Sequence, residues 1–245
     1  MKILKTGFII IFFFSSFAAI AQKTIFEGTL VYNMSIQTSS KEPTMADMLD
    51  GATNTIYIKG SQSRSEIISG LGSDITIHDS RNGTGVILKD YSGQKLMITL
   101  TKEDWDKKNS KYQGITFETT NETMDIAGYN CKKAIAKLRD GSSFVVYYTT
   151  ELEVADKGYD SQFKNLPGLA MQYEWQSGNR KFKYTLAKIN FDIVPVSKFD
   201  IPKSGYRIMT YGETKNNYSK KQQIIKNYNY LDLIISLYPE AGEYD

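Results

Sequence analysis

Groups that move protons, attack electrophiles or hold metal ions are scarce in this 245-residue chain, which carries one histidine, one cysteine and 27 acidic residues. A lone histidine excludes multi-histidine metal centres and leaves a Ser-His-acid triad only through His78 itself. Around it, Ile75 and Ile77 share one face of the alternation and Thr76 and His78 the other, which predicts a surface or turn-adjacent imidazole beside Asp79. Cys131 sits in Ala127-Gly128-Tyr129-Asn130-Cys131-Lys132-Lys133-Ala134, where the two lysines would favour a reactive thiolate. Consecutive strand residues point to opposite sides, however, and an unpaired cysteine is typically a small buried group, which is the expectation here. Asp104, Asp106, Glu118 and Glu122 neighbour lysines and amides without a spacing signature, and no nucleophile elbow, phosphate loop or EF-hand loop occurs. A carboxylate pair assembled only in space, as glycosidases use, leaves no trace in a sequence. The expectation is a non-enzymatic protein with no metal and no cofactor.

Binding surfaces leave a clearer pattern. Residues 166–175, Leu-Pro-Gly-Leu-Ala-Met-Gln-Tyr-Glu-Trp, open with a Pro-Gly turn and then put Leu169, Met171, Tyr173 and Trp175 on one face of a strand. So large an apolar face has to be covered. One cover is ordinary packing against neighbouring strands or helices. The other is a concave groove that receives a lipid or another apolar ligand, with Met and aromatic surfaces as walls and Tyr or Trp as a polar rim. Leu169, Met171, Tyr173, Trp175 and, on the next run, Tyr184 are therefore the candidate ligand-binding residues. Tyr32, Met34, Met97, Phe117, Tyr148 and Phe182 supply further candidate walls.

The elements that would position these residues have a period of two almost throughout. From Phe26 the even positions run Phe26, Gly28, Leu30, Tyr32, Met34 and Ile36, the pattern of a half-buried strand. Shorter runs follow at residues 55–59, 74–78, 85–89, 95–101, 115–119, 143–149, 169–176 and 180–191. Between many of them lie glycine turns, Asn82-Gly83 and Asp140-Gly141 among them, whose positive φ angles suit antiparallel hairpins. In the last run Phe182, Tyr184 and Leu186 are even while Ile189 and Phe191 are odd, so a bulge is expected near Ala187 or Lys188. Helices are expected at 44–49, at 102–109 with Thr101 as cap, and in the tail, where Ile224, Tyr228, Leu231 and Ile235 form one amphipathic stripe. The predicted fold is mainly β, a single antiparallel meander curled into a half-open barrel with a few short helices and a C-terminal helical tail.

Residues 1–21 read as a signal peptide: Lys2 and Lys5 precede an apolar run that ends in Ala19-Ile20-Ala21, so cleavage is expected between Ala21 and Gln22. That predicts a periplasmic or secreted protein without a membrane span. Residues 22–210 would form the β half-barrel and 211–245 a polar linker and amphipathic tail. Losing Lys2 and Lys5 leaves 28 basic against 27 acidic residues, a balance that gives no electrostatic case for nucleic acid.

Four stretches together carry a resemblance: Ala-Gly-Tyr-Asn-Cys-Lys-Lys-Ala at 127–134, Tyr-Tyr-Thr-Thr-Glu-Leu at 147–152, Asn-Leu-Pro-Gly-Leu at 165–169 and Phe-Asp-Ile-Pro at 199–202. Their order resembles the GLPGLI family of secreted Gram-negative proteins, from whose namesake motif Asn165 and Ala170 depart. It also resembles a related uncharacterised domain family opening with strands like residues 27–32 and 56–60. The resemblance spans residues 26–210 and rests on turn and strand signatures without catalytic content. It implies a LolA/LolB-like fold, whose named members carry lipoprotein acyl chains. The functional expectation is a binding or carrier module for a lipid or other apolar ligand. Its alternative is a cell-envelope structural or interaction domain with a protein partner and no small-molecule ligand.

Overall fold

The computed structural model describes residues 22–38, 49–91 and 93–214; the signal-peptide assignment, most of the expected turn at 44–49 and the tail stripe from Ile224 to Ile235 lie outside them. These described residues form fourteen strands: β1 Lys23–Ile25, β2 Glu27–Thr38, β3 Thr53–Lys59, β4 Gln62–Ser69, β5 Gly72–Asp79, β6 Thr84–Tyr91, β7 Gln94–Leu100, β8 Thr116–Ile126, β9 Tyr129–Lys137, β10 Ser143–Thr149, β11 Leu152–Val154, β12 Leu169–Ser177, β13 Arg180–Asn190 and β14 Arg207–Thr210. Twelve of them form one sheet in the order β14-β7-β6-β5-β4-β3-β2-β13-β12-β10-β9-β8, whose two end strands do not pair. The protein is thus mainly β, with an open antiparallel sheet as expected. In detail the meander is folded back on itself: β2 to β7 form one run, β8, β9, β10, β12 and β13 another, and β2 pairs with β13 to join them. Two short parallel pairs, β1 with β11 and β14 with β7, were not legible from alternation.

Hairpin turns follow the glycine signals, and Gly60, Gly83, Gly93, Gly141 and Gly178 all adopt positive φ. The phase change in β13 is a bulge: Leu186 pairs with Tyr32 and Lys188 with Val31, leaving Ala187 unpaired. Helix α1 (Lys102–Lys108) links the two runs and begins as the sequence predicts. Thr101 Oγ1 accepts from Asp104 N at 3.2 Å while Asp104 accepts from Thr101 N at 3.1 Å, a complete capping box. At the far end of the described chain Thr210 and Glu213 repeat that arrangement at a helical turn starting with Tyr211.

Directly paired residues on antiparallel strands share a face, so the register gives the inward side. Its main core joins Leu30, Tyr32, Ile56, Val146, Leu169 and Met171 under a cover of short turns containing Phe163 and Leu166. Each fully buried side chain of this size contributes about 1.5–3 kcal/mol. Cys131 belongs to this core, fully enclosed, with its thiol pushed up to about 11 by burial, so the buried, unreactive reading holds. Phe26 departs from its expected place: it stands at the bend between β1 and β2 and is 68% exposed. The edge strand β8 carries its own irregularity, because residues 120–122 have no partners between Thr119↔Ala134 and Thr123↔Lys132. Lys137 and Lys133 pair with Glu118 and Glu122 along it, at 2.5 and 2.8 Å.

Gly168 explains the Pro-Gly turn physically. A Cβ there would lie 2.0 Å from the Thr149 carbonyl oxygen, so only glycine lets the chain pass β10 on its way into β12. Gly168→Ala is therefore expected to lower stability by about 1–3 kcal/mol or more through overpacking, measured by urea unfolding. An unchanged midpoint would refute that close approach.

Candidate functional site

The inward face changes character across the sheet. Under β8 to β12 it is apolar, whereas β3 to β6 place polar residues in the same phase: one row pairs Asn54, Ile67, Asp74 and Lys89, the next Ile56, Ser65, Thr76 and Ile87. Lys89 Nζ donates to Asp74 Oδ2 at 2.6 Å, both groups buried, a charge pair that must be kept whole because removing either partner strands the other. Ser65 Oγ donates to Asn54 Oδ1 at 2.8 Å.

Over this polar floor lies a cleft of about 220 Å³. Its second wall comes from β12 and β13, where Tyr173 and Tyr184 stack with ring centroids 4.6 Å apart, flanked by Trp175 and Phe182. Its lid comes from α1 and the turns after it, with Trp105 and Tyr112, and from residues 159–162. Trp175 Nε1 donates to Gln162 Oε1 at 3.1 Å, and Lys111 stands 5.1 Å above the indole. Asp160, half-buried at the cleft, accepts from Gln162 N and Nε2 at 3.0 and 2.9 Å. Burial pushes its carboxyl up to about 6, with Gln162 and Lys108 pulling the other way. Burial likewise raises the hydroxyls of Tyr159, Tyr173 and Tyr184, so all three are neutral at any physiological pH.

The strand singled out in the sequence divides between two roles. Leu169 and Met171 are wholly enclosed in the main core, while Tyr173 and Trp175, together with Tyr184, line the cleft. Asn54, Ser65, Thr76, Asp160 and Gln162 were not singled out. The available signal for the first was a polar residue in the apolar phase set by Ile56 and Ile58.

His78 is a correction. Expected at the surface, it is only 5% exposed and stacks flat on Trp105, with centroids 3.8 Å apart and planes 7° from parallel. Its paired residue Gly85 makes the room, since a Cβ there would meet the Trp105 ring at 2.9 Å. Alternation correctly set His78 and Thr76 apart from Ile75 and Ile77 but took their side for the solvent face; it is the inward face, and α1 covers His78 there. Neither ring nitrogen makes a well-formed hydrogen bond, the nearest relief being the Gly158 backbone. Burial holds the imidazole below its ordinary value, against Asp156, Asp79 and Asp106. Among the described residues no cluster of three or more His, Cys, Asp or Glu could hold a metal ion, and no helix is long and apolar enough to cross a membrane.

No family model and no curated protein matches the chain. Solved structures of similar shape include PNGF-II, at 14% identity and TM-score 0.43, where the match covers 75% of this chain but only 31% of that one. This chain thus spans less than a third of PNGF-II. An uncharacterised conserved protein from Thermus thermophilus is similar at 6% identity and TM-score 0.41, covering 74% of this chain and 90% of the other. A LolA superfamily protein from Nitrosomonas europaea is similar at 7% identity and TM-score 0.32, covering 71% and 90%. At such identities a likeness speaks to the fold alone.

Two groups make stability depend on pH in opposite directions. The fold prefers neutral His78, so its contribution is whole above pH 6.5 and is lost as pH falls through the lowered folded value. It also prefers neutral Asp160, whose penalty is full above about pH 6 and is relieved as pH falls toward 3.8. Urea midpoints from pH 8 to 4.5 should therefore show Asp160→Asn gaining most over the parent at pH 8 and progressively less below pH 6. His78→Phe should gain on the parent only below pH 6.5. Differences that do not vary with pH would contradict both assignments.

Proposed function

We propose that this chain is a non-enzymatic binding module, working outside the cytoplasm, that takes a small amphipathic ligand in the cleft between β3–β5 and β12–β13. The reading is carried by the composition of that cleft, an aromatic wall of Tyr173, Trp175, Phe182 and Tyr184 opposite a floor of Asn54, Ser65 and Thr76. A few convergent polar groups set in an apolar enclosure are what a ligand site requires. A lipid or other apolar ligand would contact the aromatic wall, with Leu169 and Met171 supporting it from the core. A volume of about 220 Å³ suits a ring or a short chain better than a whole acyl lipid. The likeness to the GLPGLI family belongs to this reading: the Leu-Pro-Gly-Leu turn delivers β12 to the cleft and contributes no reactive group. Action outside the cytoplasm rests on the residues of the 1–21 segment.

A second reading, an envelope interaction domain, is favoured by one observation. Phe26, Phe191, Ile193 and Val196 are all exposed, Ile193 by 82%, and they flank the point where Glu27 accepts from Val194 N at 2.7 Å. Exposed apolar groups gathered in this way mark a protein contact.

Native mass spectrometry of the full-length gene product purified from its own host tests these readings together. The expected result is a polypeptide beginning at Gln22 with one small molecule bound, which Trp175→Ala and Tyr184→Ala lose while keeping the fold. A bound polypeptide released by Ile193→Glu would favour the interaction domain instead. A chain beginning at Met1 would remove the export reading.

A further inference from the structure

The cleft exposes hydrogen-bonding groups that the protein itself leaves unused. Among the described residues the hydroxyls of Tyr159, Tyr173, Tyr184 and Thr76 make no hydrogen bond, and all four side chains line the cleft. Most of the Tyr173 side chain is enclosed, at 4% exposure, while these hydroxyls still reach the open cleft, since the only buried side-chain polar atoms without a partner among the described residues are the two nitrogens of His78. A hydroxyl that faces a cleft and is not taken up by the fold is free to exchange its water for a ligand group.

Which ligand chemistry fits follows from what each class would meet. A hydrocarbon chain would satisfy the aromatic wall and leave Asn54, Ser65, Thr76 and the tyrosine hydroxyls facing methylene groups. An anion would be set beside Asp160 and Asp74, and a cation would meet Lys108 and Lys111 at the rim, the latter already seated over Trp175. A neutral ring with one C–H face and a periphery of hydroxyls meets every part without conflict. Its face lies on aromatic rings, and its hydroxyls donate to a carboxylate and an amide oxygen and accept from phenols.

Resting on the ligand-binding reading above, we propose that the cleft binds a neutral carbohydrate. One sugar ring is seated against Tyr173, Tyr184 and Trp175, with its hydroxyls on Asn54, Thr76 and Asp160. Steric scale agrees, because a cleft of about 220 Å³ accepts a single pyranose, with the open side leaving room for a second.

Both tryptophans of the chain, Trp105 and Trp175, line the cleft, so intrinsic fluorescence reports its occupancy directly. The full-length secreted protein is titrated, by fluorescence and by calorimetry, with glucose, galactose, mannose, N-acetylglucosamine and their β-linked disaccharides, and in parallel with octanoate and choline. The expected result is saturable binding of at least one sugar, weakened about tenfold by Tyr173→Phe and by Thr76→Val, changes that remove one hydroxyl each and keep the shape. Thermal melting of each variant separates lost contacts from lost fold. Saturation by octanoate or choline with no response to any sugar would overturn the carbohydrate assignment and leave the binding module standing. No response to any titrant would overturn both.

Discussion

The pairing of β2 with β13 is the joint on which the molecule depends. It runs from Thr38↔Arg180 to Thr29↔Asn190, across the unpaired Ala187, and connects segments separated by some 140 to 160 residues of chain. Neither run of strands can cover its own inward face, so the core of Leu30, Tyr32, Val146 and Met171 exists only once this seam closes. Bulges bend and twist a sheet, and this one lies in the seam between the aromatic wall of β12 and β13 and the floor of β3 to β5. Because the seam requires closure of a very long loop, its formation is expected to limit the folding rate.

Curling produces one interior with two solvents in it. The β8 to β12 side is packed hydrocarbon and aromatic ring, while the β3 to β6 side holds Asn54, Ser65, Thr76 and the Asp74–Lys89 pair. A chain selected only for stability would fill that side with aliphatic residues, since a buried ion pair gives little net stabilisation. Polar residues in apolar phase, and an imidazole enclosed with both nitrogens poorly served, are local conflicts of the kind that proteins retain at working surfaces.

Much of the scaffold was legible because its causes are local. Turn glycines, the Thr101 cap and the phase slip at Ala187 each act within a few residues, and each is found where alternation and turn chemistry put it. What escaped was set by distant chain. Strand β4, Gln-Ser-Arg-Ser-Glu-Ile-Ile-Ser, has no apolar rhythm and is a strand because β3 and β5 bracket it. His78 looked like a surface residue because the sequence cannot say that α1 will lay Trp105 across it. The candidate site divides on the same line: Tyr173, Trp175 and Tyr184 follow from period two, whereas Asp160 and Gln162 arrive from an irregular segment brought over the sheet by the core beneath it.

An open sheet has two margins, and β8 is the long one. Its outer backbone is interrupted at residues 120–122, so a foreign strand finds only two four-residue stretches that are out of line with each other. Glu118, Glu122 and their lysine partners add charges that a second copy would have to desolvate. The consequence concerns populations of molecules and not the single one: at high concentration, the β8 margin is a poor template for a second copy of this chain to pair along.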